Sequence, residues 1–108
     1  MLKEKVLKAI NQQINNEYYS AFLYLSMSAW FQGKGFPGFA NWMYIQYQEE
    51  LTHGNKFFKY VHERGSQVIL KEIAQVETDF ASVVEVFERS LEHEQFVTAS
   101  INKIMDVA

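Results

Sequence analysis

Three glutamates and a histidine stand where apolar residues are expected. They are Glu17, the pair Glu50 and His53 within Glu50-Leu51-Thr52-His53, and Glu94. Carboxylates rarely occupy core positions unless something offsets their lost hydration. Three-residue spacing turns Glu50 and His53 to nearly the same helix face, so one helix can supply two ligands. Three carboxylates this close could not all stay ionised in an apolar seam; protons or cations must neutralise them. Glu17, Glu50 and His53 balance one divalent ion, two negative charges against two positive. A second ion would share Glu50 as a bridge and take Glu94. Two ions then bring four positive charges against three negative ones, which leaves the second position one carboxylate short. Hard oxygen plus imidazole, with no sulfur, suits iron(II) or manganese(II) better than a structural zinc site, though zinc could still bind.

Helices must position these groups. Only one proline and five glycines punctuate the chain. Residues 3–32 run without a breaker, and Gly33, Gly35 and Pro37 then form a short turn, with Pro37 suited to a first helical position. A second run spans 37–64 and ends at Gly65, as a C-cap glycine would. Ser82-Val83-Val84-Glu85 matches the capping-box pattern and starts a third helix over 82–107. No alternating run bounded by hairpin signals makes a case for a sheet. The connection 65–81 could reach ~55 Å at ~3.3 Å per residue, enough to cross a whole bundle. The spacing therefore predicts an all-α fold whose third helix starts from the far end.

Alternating spacings of three and four give one seam per helix. Helix one offers Leu7, Ile10, Ile14, Glu17, Ala21, Tyr24, Ser28 and Phe31. Helix two offers Phe39, Met43, Gln46, Glu50, His53, Phe57 and Tyr60. Helix three offers Val84, Phe87, Leu91, Glu94, Thr98, Ile101 and Met105. Each acid lies near mid-helix, so the four groups are expected to converge at one height.

Composition excludes several alternatives. With 108 residues, one domain over 1–108 is expected. Hydrophobic content of 48% supplies a packed core rather than a disordered chain. A net charge of −3 is too mild to imply a nucleic-acid partner or a polybasic membrane contact. Without cysteine there is no disulfide and no thiolate metal site. Met1-Leu2-Lys3-Glu4-Lys5 has no apolar signal core behind it, and no stretch approaches the ~20 apolar residues of a membrane span. A soluble, cytoplasmic protein is expected.

At these residues the chain resembles the bacterial non-haem ferritins. The resemblance rests on Asn16-Glu17-Tyr18-Tyr19-Ser20 with Tyr24, Gly35-Phe36-Pro37-Gly38-Phe39-Ala40, Gln48-Glu49-Glu50-Leu51-Thr52-His53, and Glu92-His93-Glu94-Gln95. It implies a ferritin-like four-helix bundle subunit with a di-iron ferroxidase centre. In that family iron(II) is oxidised by dioxygen or peroxide and stored as ferric mineral inside a cage of 24 subunits. By position, Glu17 and His53 would be ligands of the first iron, Glu50 the bridge, and Glu94 a ligand of the second. Tyr24 would stand beside the centre to hydrogen-bond a ligand or donate an electron, and Glu49 would contribute to a third iron site. The match covers the first three bundle helices. The family's fourth and fifth helices, with their further glutamate and third-site ligands, are absent from this chain, which is expected to be a C-terminally truncated domain.

Blander readings stand beside these. Glu49 points away from the Glu50 seam and can be read as solvated. Tyr24 can be read as core packing. His62 and His93 are read as surface residues. Helix one is apolar on several faces, through Tyr19, Phe22, Leu23, Leu25, Met27 and Trp30. A helix of that kind is buried on more than one side. The groove a fourth helix would fill is then open, and association with copies of the chain or a partner is expected. The alternative function is a ferritin-derived helical assembly module that binds at most one metal without turnover. A rubrerythrin-like peroxidase would want a second Glu-x-x-His and cysteine ligands, and neither is present.

Overall fold

The computed structural model describes residues 1–107. Ala108, the last residue of the expected domain, lies outside them. Three helices follow in order: α1 (Glu4–Gly33), α2 (Pro37–Glu63) and α3 (Val83–Val107). The predicted limits agree to within about a residue. Among the described residues there is no strand, and no helix is long and apolar enough to cross a membrane.

The helix ends explain the agreement. At the end of α1, Gly35 adopts φ +82°, Gly35 N–H donates to the Gln32 carbonyl, and Phe36 N–H donates to the Phe31 carbonyl. This is a Schellman turn, and a side chain at Gly35 would be strained there. The Phe36 ring also meets Phe31 edge-on at 6.3 Å. Pro37 then opens α2. Gly65, at φ +74°, ends α2 in the same way, with Ser66 N–H donating to Val61. At α3, Glu85 N–H donates to Ser82 Oγ at 3.1 Å, while Glu85 Oε2 accepts from Ala81 N–H at 2.9 Å. The predicted capping box forms with its return bond displaced by one residue.

The tight turn makes α2 antiparallel to α1. The crossover then runs beside α1 from its start to its end. Leu2 N–H donates to Ser66 Oγ, Ile69 N–H to Asn11 Oδ1, Asn15 Nδ2 to the Glu72 carbonyl, and Ser26 Oγ to the Glu77 carbonyl. Phe80 closes the path by packing edge-on against Trp30. An extended segment has no helical partners of its own, so polar side chains of α1 satisfy part of its backbone. α3 therefore begins at the far end, antiparallel to α1.

The α1 seam is buried as predicted from Ile10 to Phe31. The other two are turned. α2 buries Ala40, Met43, Glu50, Gly54 and Val61, leaving Phe39 and Tyr60 exposed. α3 buries Val86, Ser90 and Val97, whereas Val84, Leu91, Ile101 and Met105 of the predicted seam are exposed. The physical reason is that α3 packs chiefly on α1. Its contact ridge lies beside the predicted seam, which faces an open groove.

One close approach sets the spacing of α1 and α2. A Cβ placed on Gly54 would lie 2.5 Å from Tyr18 Cε1, and Tyr18 Oη donates to Asn55 Oδ1 at 2.7 Å. Gly54→Ala would gain helix propensity but would force the Tyr18 ring and α1 outward. Urea unfolding of the metal-free protein should show Gly54→Ala destabilised by about 1–3 kcal/mol.

Candidate metal centre

Glu17 and Glu50 meet between α1 and α2. Glu17 is fully buried and Glu50 is 4% exposed. His53, one turn beyond Glu50, turns its Nδ1 to both: 3.8 Å from Glu17 Oε2 and 3.6 Å from Glu50 Oε2. One ligand atom from each of the three lies within 4.8 Å of the others. Glu17 Oε1 accepts from Gln13 Nε2 at 2.9 Å, which holds that carboxylate in place. Its other oxygen and Glu50 Oε2 are buried with no hydrogen-bond partner. Buried carboxylate oxygens are seldom left so. Two such atoms beside an imidazole nitrogen fit a divalent cation.

The electrostatics point the same way. Burial pushes the Glu50 carboxyl up to about 9, with the adjoining Glu17 carboxylate next in effect and Glu94 and Glu49 adding to it. Without a cation, the Glu17–Glu50 pair therefore shares a proton at neutral pH. His53 is about half exposed, with its side chain 52% accessible. The centre thus opens to a cavity of about 600 Å³ lined by Glu17, His53, Phe57, Tyr60, Ile101 and Ile104.

Glu94 does not join the tight cluster. The Tyr24 hydroxyl donates to Glu94 Oε1, and Ser90 Oγ reaches Tyr24 Oη at 3.5 Å. Burial first, then the bond to Glu94, raises the Tyr24 phenol above its ordinary value. Tyr24 is thus both buried core and Glu94's partner. Glu49 is exposed and outside the cluster. Of the expected residues, the structure brings together Glu17, Glu50 and His53, and sets Tyr24 and Glu94 beside them as a pair.

His93, read from sequence as a surface residue, is not one. Its Nε2 lies 2.5 Å from Ser20 Oγ, its ring is 5.6 Å from Tyr19, and burial lowers its imidazole below the ordinary value. The available signal was its place on the three-and-four ridge of Val86, Ser90, His93 and Val97. His62 accepts a long bond from Val68 N–H at 3.4 Å, away from the centre.

Residues 7–108 match the family described as the ferritin-like domain. The chain belongs to the ferritin family. It is 42% identical to the bacterial non-heme ferritin of Campylobacter jejuni over 98% of its own length and 64% of that protein's. It is 42% identical to that of Bacteroides fragilis over its full length and 68% of that protein's. Among solved structures, the open-pore ferritin of the hyperthermophilic archaeon Archaeoglobus fulgidus superposes with a TM-score of 0.97 at 44% identity, over all of this chain and 67% of that one. The chain thus spans about two thirds of the length of the ferritins it matches, and its three helices follow the ferritin-like bundle.

The raised Glu50 carboxyl sets a proton count for this ferritin chain. A divalent cation must displace the proton that the Glu17–Glu50 pair shares at pH 7. Calorimetric titration with zinc(II) in buffers of different ionisation enthalpy should report release of about one proton per first ion bound. In Glu50→Gln that release should vanish together with most of the affinity.

Proposed function

We propose that this chain oxidises iron(II) to iron(III) at a carboxylate-bridged di-iron centre and that the product is stored as ferric mineral. Iron is the substrate, and dioxygen or peroxide accepts the electrons. The observation that carries the reading is the convergence of Glu17, Glu50 and His53, with two buried carboxylate oxygens that lack a partner. Glu17 and His53 would hold the first iron and Glu50 would bridge. Glu94 would take the second iron, with Tyr24 next to it as hydrogen-bond partner and electron donor. Glu49 would serve a third, more exposed position. The protein contributes fixed geometry and open coordination positions. The half-exposed His53 and the cavity beside it offer the route by which iron and oxidant arrive.

The family membership supports iron storage as the wider role, in the cytoplasm and in a self-associated, cage-like assembly. Exposed Val84, Leu91 and Met105 along α3, and Phe39 and Trp42 on α2, support association with further helices. A second reading has one observation in its favour. Glu94 is held by Tyr24 and lies outside the three-residue cluster, as in a module that binds one metal without turnover.

Stopped-flow absorbance of iron(II) oxidation in air separates the two. The wild type should turn over, and Glu50→Ala should lose at least about tenfold in rate, because altering even the outer partners of a metal site costs about 10–100-fold. Equal rates would sink the ferroxidase reading, and uptake of one iron per chain with no oxygen consumed would establish the other.

A further inference from the structure

Glu94 reaches the centre only as well as α3 is held on α1. The apolar contacts lie away from the site: Val86 and Phe87 pack near the start of α3, with the Phe87 ring 5.8 Å from that of Phe31, and Ile104 packs on the Ile10 and Ile14 cluster near its end. Towards α2, the Phe87 ring meets Phe39 and Trp42 near the start of α3, two turns from Glu94. At the height of the centre the contact is polar. Ser20 Oγ donates to the Asn16 carbonyl at 2.8 Å, one turn back along α1. Its single proton is then used, so towards α3 it can only accept. The group it faces is His93 Nε2, 2.5 Å away. In this arrangement His93 donates to it from Nε2. Tyr19 at 5.6 Å and Phe96 at 5.8 Å flank the imidazole and fix its plane.

A hydrogen bond of fixed length at mid-height restricts how far α3 can slide or roll on α1 there. The residue after His93 stands about 100° round the helix and about 1.5 Å along it. That residue is Glu94, and the step delivers its carboxylate to the Tyr24 hydroxyl. A slip of α3 by one residue, or a small roll, would carry Glu94 into the open groove, where nothing among the described residues would return it.

We propose that His93 is a positioning residue: its Nε2–H bond to Ser20 Oγ sets the height and rotation of α3, which places Glu94 against Tyr24 and on the Glu50 side of the centre. The metal-binding half of this inference rests on Glu94 serving as ligand of a second ion; the placement of Glu94 against Tyr24 does not.

The experiment has a metal-free arm and a metal arm, both on the whole chain. In the first, proton NMR follows the Tyr24 hydroxyl, whose exchange with water is slowed by its bond to Glu94. Ser20→Ala removes the acceptor, His93→Phe keeps the ring but not the donor, and His93→Gln restores an N–H. The hydroxyl signal should be lost in the first two and kept in the third. In the second arm, cobalt(II) titration followed by absorbance should show the second ion weakened about tenfold in Ser20→Ala and His93→Phe, the size expected for a partner of a ligand. The first ion should be unchanged, and His93→Gln should recover the second. Ser20→Ala, a change that suits a helix, decides the matter if His93→Phe does not fold. An unchanged Tyr24 signal in Ser20→Ala would overturn the proposal. So would a glutamine variant no better than phenylalanine, or equal weakening of both ions, which would mean a loosened bundle. If the wild type takes one cobalt(II) while the Tyr24 signal behaves as expected, His93 still positions Glu94, and it is the di-iron reading that fails.

Discussion

Two carboxylates side by side in an apolar interior lose their hydration and repel each other, so they need a shared proton or a shared cation. Glu17 and Glu50 are in that position, and the fold around them holds them there. Each sits at mid-helix, where the backbone is fully hydrogen-bonded and cannot yield. The Schellman turn at Gly35 sets α2 antiparallel to α1, which brings the two mid-points to one height. Gly54, one turn after Glu50, then lets the Tyr18 ring, next to Glu17, lie against α2 without a side chain between. Close packing of the two helices is thus kept next to the carboxylates. Gln13 steadies Glu17 from below, while His53 offers an imidazole nitrogen from the solvent side.

The third helix is held differently. α1 and α2 make the broader contact, in which buried apolar residues surround the Glu17–Glu50 pair; α3 is located on α1 at mid-height by Ser20, Tyr24, Ser90, His93 and Glu94. Hydrophobic contact is tolerant of small slips, but hydrogen bonds at fixed distances are not. A polar lock is therefore the kind of contact that can define where one carboxylate stands. The crossover makes this possible, because Asn11, Asn15 and Ser26 hold it along α1 until α3 can start at the opposite end. Had the connection been short, α3 would have run the other way and His93 would not have faced Ser20.

Much of this was legible in the residues. Gly33, Gly35, Pro37, Gly65 and the Ser82–Glu85 box are local signals, because each acts on backbone within a turn of itself, and the helix limits followed from them. The α1 seam was legible because that helix packs on both others, so most of its three-and-four positions are buried. The seams of α2 and α3 were not. Each touches α1 on one flank and a groove on the other, and periodicity alone does not say which flank is which. His93 illustrates the cost: between Glu92 and Glu94 it reads as a surface residue, and its partner is 73 residues away.

What the sequence by itself determined is local and periodic: three long helices, where they begin and end, and a Glu-x-x-His pair that must share a face because three residues are nearly one helical turn. It also carried the charge problem, since Glu17, Glu50 and Glu94 had to be neutralised wherever they met. Only the tertiary structure decided that Glu17, Glu50 and His53 form one tight group while Glu94 is tied to Tyr24 beside it. That division depends on how α3 is rotated on α1, and the rotation is set by contacts between residues far apart in the chain, which no local spacing encodes.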